Sequence, residues 1–131
     1  MKLISLNTWG GKIYQPLMDF VKQQSNETDI FCFQEIYDTS SNIKQYKDIL
    51  RANLLGEIKN ILTNFQIFYF PTLKNYDDEA NPVDFDLKYG PAIFIRNSIK
   101  VNSHKDYFIY RDKSLQNVKR NFSNLATPLQ Y

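Results

Sequence analysis

One cysteine and one histidine occur among 131 residues, and each scarcity closes off a kind of chemistry. Cys32 has no second thiol with which to form a disulfide inside the chain. It lies in the apolar run Ile30-Phe31-Cys32-Phe33, where a thiol behaves as a small hydrophobe; a reactive thiolate would need a base or cation beside it. A lone His104 with a lone Cys32 supplies neither a zinc set nor a nucleophilic triad. His104 stands between Ser103 and Lys105 and reads as an exposed turn residue. Long apolar runs are also missing. None approaches the ~20 residues of a membrane span, and the stretch after Lys2 ends at Asn7, short of the core of a secretory leader. A cytoplasmic protein is the expectation. Charge of one sign is scarce too: 16 Lys and Arg face 14 Asp and Glu, a net of +2. A polyanion would have to be held locally, not by the field of the whole chain.

Aromatic residues are plentiful, with ten Phe and nine Tyr. They favour strands and a large buried payload. The length suits one domain, and a hydrophobic content of 43% argues against wholesale disorder. Residues 2–9 predict a strand broken by Gly10-Gly11. Pro16 at a first-turn position, then Leu17, Phe20 and Val21, predict a helix over 15–25. Residues 29–34 predict a second strand, parallel to the first because a helix joins them. Polar loop chemistry follows over 36–47. A long helix is expected over 46–64, with Ile49, Leu50, Leu54, Ile58, Ile61 and Leu62 as its buried stripe. Further strands are expected at 66–70, 91–96, 99–101 and 107–110, and a last one opening at 128–131. Residues 72–88, with Asp77, Asp78, Glu79, Asp84 and Asp86, read as a solvated, mobile loop. The basic residues Lys105, Arg111, Lys113, Lys119 and Arg120 read as a solvated surface.

The fold class is α/β, and its parallel β-helix-β unit brings Asn7 and Gln34-Glu35 to the same sheet edge. Open α/β sheets place ligands at the carboxyl ends of their strands. A carboxylate there suits a divalent cation, and an amide can face both a cation and a phosphate oxygen. The bland alternatives are a turn-forming Asn7 and a solvated Glu35 at a strand end. Trp9 reads as a packed aromatic, and Gly10-Gly11 as a flexible turn rather than a phosphate-binding loop.

Leu6-Asn7-Thr8-Trp9-Gly10 and, one helix later, Asp29-Ile30-Phe31-Cys32-Phe33-Gln34-Glu35 resemble the endonuclease/exonuclease/phosphatase superfamily, which includes the DNase I-like nucleases. Tyr89-Gly90-Pro91-Ala92-Ile93-Phe94-Ile95-Arg96 looks like that family's Gly-x-Ala strand, and Thr127-Pro128-Leu129-Gln130-Tyr131 like the strand that follows it. The resemblance implies a four-layered α/β sandwich of which residues 1–131 form the N-terminal half of one domain. It implies hydrolysis of a phosphate ester (nucleic acid, phospholipid or inositol phosphate) with Mg²⁺, or Mn²⁺ in its place. By that resemblance Glu35 and Asn7 are the catalytic and metal-holding residues, and Gln34 supports them from behind. The family's later segments, a His-Gly, an Asp-x-Asn and an Asp-His pair, are not in this sequence. The expectation is therefore a chain that binds metal and phosphate but turns over little without a complementing C-terminal half. The competing expectation is a non-catalytic interaction module that needs a partner chain. Either way one sheet face, drawn from Leu3, Ile30, Phe31, Phe33, Ile93 and Phe94, should be exposed and apolar.

Overall fold

Alternating apolar residues at the start of the chain form β1 (Leu3–Asn7), and a tight turn at Trp9–Gly11 leads into α1 (Tyr14–Gln24). The computed structural model describes residues 1–107, and β2 (Ile30–Asp38), β3 (Gln45–Tyr46) and β4 (Leu50–Arg51) come next. Helix α2 (Leu54–Ile61), β5 (Phe65–Tyr69), β6 (Leu73–Lys74) and β7 (Lys88–Arg96) complete the described elements. β1 and β2 are parallel, as the intervening helix requires. The sheet runs β1-β2-β7-β5, with β7 antiparallel to β2 and β5 and with β6 added on β7.

Both helices lie on one face. Leu17, Met18 and Val21 of α1 and Leu54 and Ile58 of α2 pack with Phe31, Phe33, Ile36, Phe65, Ala92 and Phe94 from the sheet. Phe31, Phe33 and Phe94 are at most 1% exposed, and such burial stabilises by about 1.5–3 kcal/mol per side chain. Because strand side chains alternate, the opposite face carries Leu3, Ile30 and Ile93. This settles the parity of the expected open face: Phe31, Phe33 and Phe94 belong to the helix side, whereas Leu3 is 56% exposed. Phe20, expected in the stripe of α1, sits at its exposed margin.

The expected helix over 46–64 is corrected to a hairpin followed by a short helix. Gln45 and Tyr46 pair with Arg51 and Leu50, and Lys47 and Asp48 turn the chain at φ 51° and 61°. Two consecutive left-handed residues cannot continue an α-helix. Leu50 packs with Tyr37, Ala52 and Leu87, and Ile49 is left exposed. The Asn53 side chain then accepts from the Gly56 amide at 3.2 Å, an N-cap that starts α2 eight residues later than the apolar spacing suggests. Apolar periodicity alone does not separate a hairpin packed on the same core from the first turns of a helix.

The acidic loop needs a second correction. β6 and a bridge between Tyr76 and Pro82 order it, and Asp77 is fully buried. Asp77 accepts from the Glu79 and Asn81 amides at 2.9 and 2.8 Å and from Tyr46 Oη at 3.2 Å, and Lys47 Nζ lies 2.8 Å away. The carboxylate thus ties this loop to the β3–β4 hairpin. Burial alone would push its pKa up, but hydrogen bonds from Lys47, Asn81 and Glu79 outweigh that and hold it below the usual carboxylate value. The folded chain keeps Asp77 ionised to lower pH than the unfolded chain does. Its contribution is therefore complete above about pH 4 and is lost as pH falls through the lower folded value. Asp77→Asn should lower stability by about 1–3 kcal/mol at neutral pH. Thermal melts of both proteins from neutral pH to pH 3 should show that difference shrinking on acidification.

Residues 99–101, expected as a strand, form none. The chain after β7 returns along β5 instead. Gln66 Nε2 donates to the Ile99 carbonyl at 3.0 Å, and the exposed His104 ring lies 4.5 Å from that of Phe68. The strands expected at 107–110 and 128–131, and the basic residues from Arg111 to Arg120, fall outside the described residues apart from Tyr107, which is in no strand. Among the described residues no helix is long and apolar enough to cross a membrane.

Candidate functional site

β2 does not stop at Gln34, as the sequence suggests, but runs on to Asp38 through a β-bulge. Phe33 pairs with Ala92 and Ile36 with Gly90, so Gln34 and Glu35 together face the single residue Pro91. Proline costs no ladder bond to β2, because its backbone faces the other side, where its carbonyl accepts from the Phe70 amide at 2.9 Å. Glu35 takes a left-handed φ of 61°. Phe33 and Ile36, on either side, both enter the helix-side core. Two consecutive polar side chains are thereby turned out of the core at one point.

Asn7, the last residue of β1, sits in register with Gln34. Its Nδ2 donates to Glu35 Oε1 at 2.9 Å, and its Oδ1 accepts from the Trp9 amide at 2.8 Å. The structure thus brings Asn7 and Glu35 together, and the chain reversal after Asn7 fixes which way the amide points. Gln34 does not reach this pair. Its Nε2 lies 3.1 Å from Ser5 Oγ and 3.3 Å from the Cys32 carbonyl, bracing β1 against β2.

Two contributors escape sequence reasoning. Thr8 is buried, and its hydroxyl lies 2.9 Å from the Gln34 carbonyl and 3.0 Å from that of Glu35, sharing its proton between them. This contact, with the Thr8 amide donating to Gln34 O at 3.1 Å, holds the bulge open. A threonine after a strand gives no advance signal of that role. Tyr89 is the other: burial, then the negative charges of Glu35 and Asp78, push its hydroxyl well above the usual phenol range, so it stays protonated. Cys32 is half-buried, and burial raises its thiol pKa, in keeping with an inert side chain.

The turn after Asn7 differs from the packed-aromatic reading. Trp9 is 53% exposed, and its φ of 51° is left-handed. Gly10 and Gly11 are buried with φ of 60° and 79°, and a Cβ on either would come within 2.6 Å of Leu50 or Arg51. The glycines are thus a rigid, close-packed support rather than a flexible turn.

Among the described residues no three His, Cys, Asp or Glu side chains gather as metal ligands. The donor set at the bulge is one carboxylate with an amide holding it. That set fits a small hard cation such as Mg²⁺, which binds through one or two carboxylates and completes its shell with water and substrate phosphate. It does not suit zinc, whose sites take at least three protein ligands.

A mixed sheet with helices on one face and a polar pair where the parallel pairing ends defines an α/β protein. An endonuclease/exonuclease/phosphatase family protein from Leptotrichia buccalis C-1013-b has a similar structure, with a TM-score of 0.58 at 14% sequence identity. The match covers 88% of this chain and 43% of that one, so the chain spans less than half the length of the structure it resembles. No protein-family model matches the sequence, and no curated protein matches it.

Proposed function

We propose that this chain carries the metal- and phosphate-binding edge of a Mg²⁺-dependent phosphoester hydrolase. The observation that carries the reading is the Asn7–Glu35 pair, built on a strained bulge where the parallel pairing of β1 with β2 ends. Strain of this kind persists where the surroundings over-determine it, and it clusters at functional sites. Glu35 would hold the cation, which when bound polarises a phosphoryl oxygen and stabilises the leaving oxyanion. Asn7 keeps the carboxylate oriented and has a further N–H to offer a phosphate oxygen. The group that activates water lies outside this pair. In this reading it comes from a complementing C-terminal half, which would also bring the second sheet of a four-layered sandwich against the face bearing Leu3, Ile30 and Ile93.

Calorimetric titration with Mg²⁺ and with Mn²⁺ tests the proposal. One cation should bind, more tightly when inorganic phosphate is present. Asn7→Ala should weaken it by about tenfold, the usual effect of removing a group that orients a metal ligand. Absence of binding, or binding indifferent to both Asn7 and Glu35, would leave the exposed Leu3 face as the better guide and favour an interaction module.

A further inference from the structure

Trp9 is the only tryptophan in the chain, and its placement has no packing explanation. The residue is more than half exposed, yet its backbone is held in a region that bulky side chains rarely adopt. The left-handed conformation costs about 1–2 kcal/mol. What holds it is the turn: the Trp9 amide donates to Asn7 Oδ1, the Gly11 amide to the Thr8 carbonyl at 3.0 Å, and the Lys12 amide to the Trp9 carbonyl at 3.1 Å. Leu50 and Arg51 wall in the glycines behind it. Lys12 Nζ lies over the Trp9 ring, 4.8 Å from its centroid. A rigid turn thus presents an aromatic ring with the Lys12 ammonium over one face, two residues from Asn7.

We propose that Trp9 and Lys12 form a subsite for a nucleobase and its adjoining phosphate, which makes single-stranded nucleic acid the substrate class of the hydrolase reading on which this inference rests. Bases stack on exposed aromatic rings whatever their sequence, and a neighbouring cation takes the backbone phosphate. The other phosphate esters fit less well. A cationic lipid headgroup would be repelled by the Lys12 ammonium, and an inositol phosphate offers no planar face to Trp9. The near-neutral charge of the chain agrees with a contact made locally rather than by a broad basic surface.

The sole tryptophan reports its own occupancy. Titration with oligothymidylate should quench its fluorescence, and quenching should persist in EDTA and in Glu35→Gln, because the stacked base does not need the cation. Lys12→Gln should weaken binding severalfold and flatten its salt dependence. Anisotropy of a labelled oligothymidylate extends the test to variants without tryptophan. Trp9→Phe should retain most of the affinity, and Trp9→Gly should lose about tenfold or more, as removal of a stacking residue does. Trp9→Gly should melt at the same temperature as the parent or higher, because glycine accepts the left-handed backbone. A lower melting temperature in Trp9→Gly with unchanged affinity would make Trp9 structural and overturn the inference. So would a blue shift on phosphatidylserine vesicles with no response to oligothymidylate. Loss of cation binding with quenching intact would overturn the hydrolase reading alone.

Discussion

Glutamine in place of Glu35 should weaken Mn²⁺ binding by at least about a hundredfold while moving the thermal midpoint by no more than about 4 °C. The substitution keeps the shape of the side chain, and a glutamine oxygen can still accept from Asn7 Nδ2, which now lies 2.9 Å from Glu35 Oε1. What it removes is the negative charge. Groups that merely orient a metal ligand are worth ten- to a hundredfold in affinity, so loss of the ligand itself belongs at or beyond the upper end. Glu35→Gly gives a second, independent comparison. The φ of 61° suits glycine, so that variant should bind metal no better than Glu35→Gln and be at least as stable as the parent. Electron paramagnetic resonance of free Mn²⁺, read beside thermal melts, separates the two effects. A parent-like affinity in both variants would exclude Glu35 as the ligand.

The largest effect on stability should come from Gly90→Val. A Cβ at Gly90 would lie 2.4 Å from the Phe70 carbonyl oxygen and 2.7 Å from Pro71 Cα, both main-chain atoms. The obstacle is space alone, since the Gly90 backbone is not left-handed. Neither atom can withdraw freely. The Phe70 amide donates to Pro91 O at 2.9 Å and the Thr72 amide to Tyr89 O at 2.8 Å, so the same backbone is stitched to β7 on both sides of Gly90. Overpacking of this kind costs about 1–3 kcal/mol or more, and a branched side chain against main chain belongs at the top of that range. The loss is a large share of the 5–15 kcal/mol typical of a domain. Urea denaturation should show a midpoint lowered accordingly, and Gly90→Ala should fall between the two. An unchanged midpoint for Gly90→Val would mean that β7 and the Phe70–Thr72 segment are not packed as described.

What was legible in the sequence is what local pattern can encode. The first strand, the helix opened by Pro16 and the parallel pairing of residues 3–7 with 30–34 follow from alternation, helical spacing and connection length. That pairing puts Asn7 and Glu35 at one sheet edge, and the bulge brings their side chains together. The hairpin at 45–51 was not legible, because its left-handed Lys47 and Asp48 carry no glycine to announce them and its stability comes from the distant Asp77. The burial of Asp77 was hidden for the same reason: acidic runs are usually solvated, and only tertiary donors reverse that. The bulge was illegible because a strand that skips a residue looks, in sequence, like a strand that ends. The exposure of Trp9 is hidden because tryptophan is usually packed, and only the backbone of the turn shows that it is held outward.

The bulge also bears on how such a protein changes over generations. Two residues of β2 oppose one of β7 at this place, so the difference between a regular sheet and the site is a single codon. Deleting Glu35 would close the ladder, relieve its left-handed backbone and leave Phe33 and Ile36 facing the same core. A descendant could then lose the Asn7–Glu35 pair in one step and keep its fold. The reverse step, insertion of one acidic residue opposite a proline, would open a site in a strand that had none.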